Sequence, residues 1–441
     1  MNRRQFLRYT LGTATTSLGA AASTVTPGAV LLTTHTGDAA ARCARLPPVR
    51  RTESAPRRRQ PKKQDRKLIV VVFGGGTRSS ETMDDPSHRH IPHLWNEMVP
   101  RGTLLSHMHI EHRVVHPNCT ASIMTGHWEW DDNDWSKPLA HPSLLEMVRK
   151  ETGQPDTSAW AFVYASILAR ISESIAPGYG LPVAANVVEP PTISRSVAEQ
   201  MSQLLHEAAG RGSVEGELAA ARECARLARL NSRLNMSGLR SEPARAFVER
   251  EYQAWKGGDG TTSHDAFLTD RAVACMKRFA PDVLVVAFGE IDCAHYGSWS
   301  RYVEAIQRTD ELTWRLWQAT QEMESYRGRT LMLILPDHGR ELESADGPGF
   351  IHHSDFYTDR GADEGCRRVW MLALGPGVPV GGRVDRPIPT TAVAATALEH
   401  LELKASEGAA ASVLTELQSC SGASGQERPP GRRVAIVEKA G

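Results

Sequence analysis

Five apolar, largely β-branched runs punctuate the chain: KLIVVVF (67–73), AWAFVY (159–164), VLVVAF (283–288), TLMLIL (330–335) and VWMLAL (369–374). They are apolar at successive rather than alternate positions, the pattern of a strand covered on both faces. Helical periodicity fills the intervals, as in HPSLLEMVRKETG (141–153) and WSRYVEAIQRTDELTWRLWQATQEM (299–323). Strands alternating with helices predict an α/β fold: a three-layer α/β/α sandwich with a mainly parallel central sheet. The segments 67–73, 283–288 and 330–335 are its expected interior strands.

The pattern changes at three places. From about 192 to 278 Ala, Leu, Arg and Glu recur at helical spacing with no strong strand, which predicts a helical insertion. Within it KGGDGTTSHDA (256–266) reads as a turn region. Residues 31–66 are rich in Pro, Arg and Lys and read as a solvated linker. Residues 401–441 read as a loose tail, which leaves 67–400 as the globular domain.

Charge sharpens this division. The 441-residue chain is formally neutral, yet residues 1–67 hold 14 Lys or Arg against three Asp or Glu, and the other 374 hold 37 against 48. A basic leader before a mildly acidic globule points to targeting rather than nucleic-acid binding. The leader begins NRRQFLRYTLGTATTSLGAAAS, with paired Arg3 and Arg4, a weakly apolar stretch and small residues near Ala20–Ala22. That layout predicts a twin-arginine export signal within 1–30, with the Tat machinery as partner and a periplasmic or secreted product. No stretch reaches the roughly 18 consecutive apolar residues of a membrane span. The seven cysteines (43, 119, 224, 275, 293, 366, 420) lack CxxC spacing and read as isolated thiols.

Candidate chemistry collects after the strands. VLVVAF is followed by GEIDCAHYGSW, with Asp292 and His295. TLMLIL is followed by PDHGRE, with Asp337 and His338. GFIHHSDF, with His352 and His353, comes before VWMLAL. In open α/β sheets ligands bind beyond the carboxyl ends of strands. Carboxylates and imidazoles are the donors that first-row metals accept. An Asp-His pair alone serves equally as an acid–base pair or a helix cap; three clusters in this order point to a metal.

These clusters resemble the second half of the alkaline phosphatase and sulfatase superfamily: Asp-x-x-His, then Asp-His-Gly, then a later His. The first half is similar too. IPHLWNEMVPRGTLLSHMHIE (91–111) resembles the superfamily's Pro-x-Leu-x-x-Leu-x-x-x-Gly segment, and PNCTASIMTGHW (117–128) the segment ending in Thr-Gly after the nucleophile. The resemblance implies a metal-dependent hydrolase or transferase of small phosphate or sulfate esters on an alkaline-phosphatase-like scaffold. It implies a divalent metal, zinc foremost and manganese or calcium after it. Asp292, His295 and His353 would hold one ion, with His353 taken over its neighbour His352, and Asp337 and His338 a second. A binuclear site would bring the five side chains within about 8 Å of one another.

Two departures fall on the chemistry itself. The family's metal-binding Asp follows the first strand, where this chain reads VVVFGGGTR and places Gly74. Glu81, Asp84 or Asp85 would have to supply the missing carboxylate. The nucleophile stands ten residues before the Gly of Thr-Gly, and counting back from Gly126 gives His116. Thr120 is the hydroxyl candidate, with Cys119 and Ser122 behind it; CTAS lacks the Cys-x-Pro-Ser-Arg pattern of formylglycine sulfatases. A smaller departure is the three-residue spacing of Asp292 and His295, against four in many members. The alternative is a non-catalytic metal- or anion-binding relative on the same scaffold.

Overall fold

The computed structural model describes residues 66–130, 136–258, 263–294, 299–342, 364–403 and 413–417. The export-signal region, the linker up to residue 65, His295, His352 and His353 lie outside the described residues.

Nine strands form one sheet: β1 (Lys67–Val72), β2 (Thr103–His109), β3 (Ala159–Val163), β4 (Asn186–Val188), β5 (Val283–Ala287), β6 (Thr330–Leu335), β7 (Arg368–Leu374), β8 (Gly382–Val384) and β9 (Ile388–Pro389). The order is β4-β3-β5-β1-β6-β7-β2-β8, with β9 also on β2. Only β7 runs against its neighbours, β6 and β2; the other pairings are parallel. The three expected interior strands, β1, β5 and β6, are flanked on both sides and buried along almost their whole length. Their unbroken apolar runs have this cause: alternate residues face different helical layers, and both layers exclude water.

One face of β1 (Leu68, Val70, Val72) packs under α1 (His116–Thr125), α2 (Leu144–Thr152) and a later helix, Ala392–His400. The other face (Ile69, Val71) packs under the helices Glu242–Gly257, His264–Phe279 and Trp299–Glu322. The three-layer sandwich with a mainly parallel sheet is therefore present. The helical region between strands β4 and β5 begins with two helices, Arg195–Gly210 and Val214–Asn231, which pair with one another. Its last two helices supply Phe247, Val248, Phe267 and Met276 to the sheet's core.

Local signals explain the elements that position the site. Helix α2 starts at a capping box in which Ser143 and Glu146 satisfy each other's backbone N–H groups. Helix α1 has Pro117 in its first turn and ends at Gly126, whose φ of 78° lies in the left-handed region. The Thr-Gly pair is thus a helix terminus. In the segment expected to be a loose tail, Leu414 and Leu417 pack into the core, and Leu414 N–H donates to Thr396 Oγ1 at 3.1 Å. Among the described residues no helix is long and apolar enough to cross a membrane. Cys119, Cys224, Cys275 and Cys366 are buried thiols.

Candidate functional site

Register places the site. Val72 of β1 pairs with Ala287 of β5 and with Leu335 of β6, so three parallel strands end level at one edge. The loops beyond them, Gly74–Gly76, Gly289–Asp292 and Asp337–Arg340, are therefore forced together. Helix α1 points its first turn at the same place.

At that point Asp292, Asp337, His338 and His116 converge. His116 Nδ1 lies 2.5 Å from Asp337 Oδ2, and His116 Nε2 lies 3.3 Å from Asp292 Oδ1. The His116 and His338 rings are 4.4 Å apart between centroids. His338 Nδ1–H donates to its neighbour's carbonyl, Gly339 O, at 2.8 Å, which leaves Nε2 with the lone pair. That nitrogen sits 3.9 Å from Asp337 Oδ2. All four residues are buried.

The charge states follow from this packing. Burial disfavours a charged His116, but the flanking Asp337 and Asp292 carboxylates outweigh it and push the imidazole up to about 10. Burial likewise opposes the Asp337 carboxylate, yet His338 and His116 beside it hold its pKa below the usual value. Burial lowers His338 to about 4, more than the Asp337 charge restores. With no cation bound, the arrangement at neutral pH is an imidazolium between two carboxylates, beside a neutral imidazole.

The donor set fits a divalent metal. One ligand atom from each of His116, Asp337 and His338 lies within 4.8 Å of the others, and Asp292 adds a second carboxylate. A neutral imidazole oriented by a backbone carbonyl, together with carboxylates, is the chemistry that zinc accepts.

The candidate nucleophiles separate clearly. His116 touches both carboxylates. Thr120, one turn further along α1, is buried, and its hydroxyl has no hydrogen-bond partner among the described residues. Ser122 Oγ donates to Cys119 O at 2.8 Å. Tyr164, which closes the β3 run, meets the His116 ring edge-on at 6.1 Å between centroids.

None of the three proposed substitute carboxylates reaches the site. Glu81 is held by Arg78 through two bonds of 2.7 Å and also accepts from Ser80 and Tyr302. Asp84 pairs with Arg368 at 2.7 Å, and Asp85 accepts from Ser87 at 3.0 Å. Glu81 is committed to Arg78, Asp84 to Arg368 at the start of β7 and Asp85 to Ser87, and among the described residues none of them bonds to Asp337 or His338. Nor is Gly74 a vacancy: a Cβ there would stand 2.2 Å from the Phe288 carbonyl oxygen. The missing carboxylate cannot be restored without moving the backbone at Phe288, directly after β5.

Sequence reasoning left one residue of this edge without a role. Arg340, inside the quoted PDHGRE motif, is wholly buried. Its guanidinium donates to Gly76 O at 2.7 Å, Gly75 O at 2.9 Å and Ile291 O at 2.8 Å, and lies over the Tyr302 ring at 4.8 Å. It ties together the loops after β1, β5 and β6. Nothing in a linear motif distinguishes this staple from an exposed arginine.

No family profile and no curated protein matches the sequence. Among solved structures, the fold is similar to that of Ps i-CgsB in complex with k-i-k-neocarrahexaose, with TM-score 0.49 and 13% identity over 80% of this chain and 75% of that one. It is similar to the phosphonate monoester hydrolase of Agrobacterium radiobacter, with TM-score 0.47 and 13% identity over 80% and 77%. A mutant of alkaline phosphatase PafA gives TM-score 0.46 and 11% identity over 83% and 100%. Similarity at this level concerns overall shape and assigns no residue a role.

Proposed function

We propose that the protein is an exported, metal-dependent hydrolase or transferase of phosphate or sulfate esters. One observation carries this reading: Asp292, Asp337, His338 and His116, from three distant chain segments, meet at the level ends of parallel strands. Asp337, His338 and Asp292 would hold the divalent cation, zinc foremost, which when bound polarises an ester oxygen and stabilises a leaving oxygen.

The remaining work falls to the chain's own side chains. His116 is oriented by Asp337 at Nδ1, and its Nε2 faces Asp292. As an imidazolium it can donate a proton to a departing ester oxygen; deprotonated, it can attack phosphorus or sulfur as the bond to the ester oxygen breaks and that oxygen departs with the alcohol. Thr120 is the second candidate on the same helix, with a hydroxyl not committed to the described residues. Tyr164 walls the imidazole on one side and limits water there. Arg340 holds the loops in place without entering the chemistry.

The decisive experiment measures turnover of aryl phosphates, aryl phosphodiesters and aryl sulfates by the zinc-loaded full chain, its chelated form and Asp337→Asn. Turnover of at least one class that chelation and Asp337→Asn both abolish is the expected result. Metal bound without turnover of any class would leave the non-catalytic, metal- or anion-binding reading on the same scaffold. Export rests on Arg3 and Arg4: replacing both with Lys should retain the protein in the cytoplasm, and unchanged export would remove that part of the proposal.

A further inference from the structure

We infer that the protein carries a separate transition-metal site at His107, His109 and Glu364. His107 and His109 alternate along β2, with the core residue Met108 between them on the opposite face. Glu364 opens the short turn Glu364–Arg367 that leads into β7, the strand hydrogen-bonded to β2. One ligand atom from each residue lies within 4.8 Å of the others.

The spacing favours a cation over direct pairing. Glu364 Oε1 stands 3.6 Å from His107 Nε2 and 4.0 Å from His109 Nδ1. Both are beyond hydrogen-bonding range. Donor atoms around a tetrahedral ion at about 2.0–2.1 Å lie about 3.3 Å from one another. Small side-chain rotations would close the observed triangle onto such an ion. Two imidazoles and one carboxylate suit zinc, copper(II), nickel(II) or cobalt(II) and are a poor set for magnesium or calcium. The imidazoles are 26% and 32% exposed, so solvent can reach the open coordination positions.

The site is distinct from the strand-end cluster but joined to it by backbone. Gly339 N–H donates to Cys366 O at 2.9 Å, and a Cβ at Gly339 would meet Gly365 O at 1.9 Å. A cation held by Glu364 would therefore clamp the turn packed against the residue after His338.

Cobalt(II) titration of the metal-free full chain, followed by visible absorption, tests this. His107→Ala/His109→Ala should remove one binding class, whereas Asp337→Asn/His338→Ala should retain it. Glu364→Gln, an exposed change that keeps the side-chain shape, should weaken the same class by about tenfold or more. Unaltered stoichiometry and affinity in His107→Ala/His109→Ala would overturn the site. Should that variant fail to fold by circular dichroism, unaltered cobalt affinity in Glu364→Gln would overturn it instead.

Discussion

Strands β1 and β6 are hydrogen-bonded neighbours, parallel, and end level with each other, yet they deliver opposite chemistry to the same edge. After β6 come Asp337 and His338, a charged and a neutral donor aimed at His116. After β1 come three glycines, of which Gly75 and Gly76, both at positive φ, accept from Arg340 through their carbonyls. One end offers ligands and the other is packed shut by a permanent cation. A strand-end position is therefore not a ligand position by default: what matters is whether neighbouring backbone leaves room for a side chain. Gly74 leaves none, since a Cβ there would stand 2.2 Å from Phe288 O.

Removing the Arg340 staple should have the largest effect. Arg340→Met should destabilise the protein by about 3–5 kcal/mol, because three buried carbonyls lose a charged donor. Urea denaturation measures it, and a loss under about 1 kcal/mol would mean that water satisfies those carbonyls. Next in size is Gly74→Asp. Steric conflict with Phe288 O should lower stability by about 2–4 kcal/mol without tightening metal binding. A tighter metal with unchanged stability would show the loop to be adaptable after all.

On the ligand side, Asp337→Asn or His338→Ala should weaken zinc by about 100-fold or more in competition with a chromogenic chelator. The pH response gives a finer contrast. In the metal-free chain His116 is raised to about 10 from an ordinary value of 6.5, so its stabilising contribution is complete below 6.5 and disappears as pH rises towards 10. His338 and His400 are lowered to about 4, so their contribution is complete above 6.5 and is lost as pH falls towards 4. Thermal melts of the chelated protein should show both limbs, and His116→Gln should flatten the alkaline one more than the acid one. The smallest effect belongs to Asp84→Asn and Asp85→Asn, which should leave zinc affinity unchanged. A measurable loss in either would return those carboxylates to the site.

The sequence exposed different parts of this molecule to different degrees. Interior strands announced themselves because burial on both faces demands apolar residues at successive positions, as in Ile69-Val70-Val71. Asp337 and His338 were legible as polar residues placed directly after such a run. Strand β2 carries no legible strand pattern, since Ser106, His107 and His109 interrupt its apolar run; its register also shifts between Leu105 and Met108. Strands β8 and β9, of three and two residues, are too short to carry a pattern. His116 emerged only by counting from the Thr-Gly pair. The roles of Arg340, Glu81 and Asp84 depend on partners far along the chain, which no local spacing reveals.

On the proposed function the ends of β5 and β6 hold a cation and the end of β1 does not. Anomalous diffraction at the zinc edge from crystals of the zinc-loaded full chain tests it directly. The expected map has a peak bonded to Asp337 and His338 with Asp292 beside it, and Arg340 still bonded to Gly75 and Gly76. A peak coordinated by Glu81, Asp84 or Asp85, or no peak beside Asp337 and His338, would contradict it.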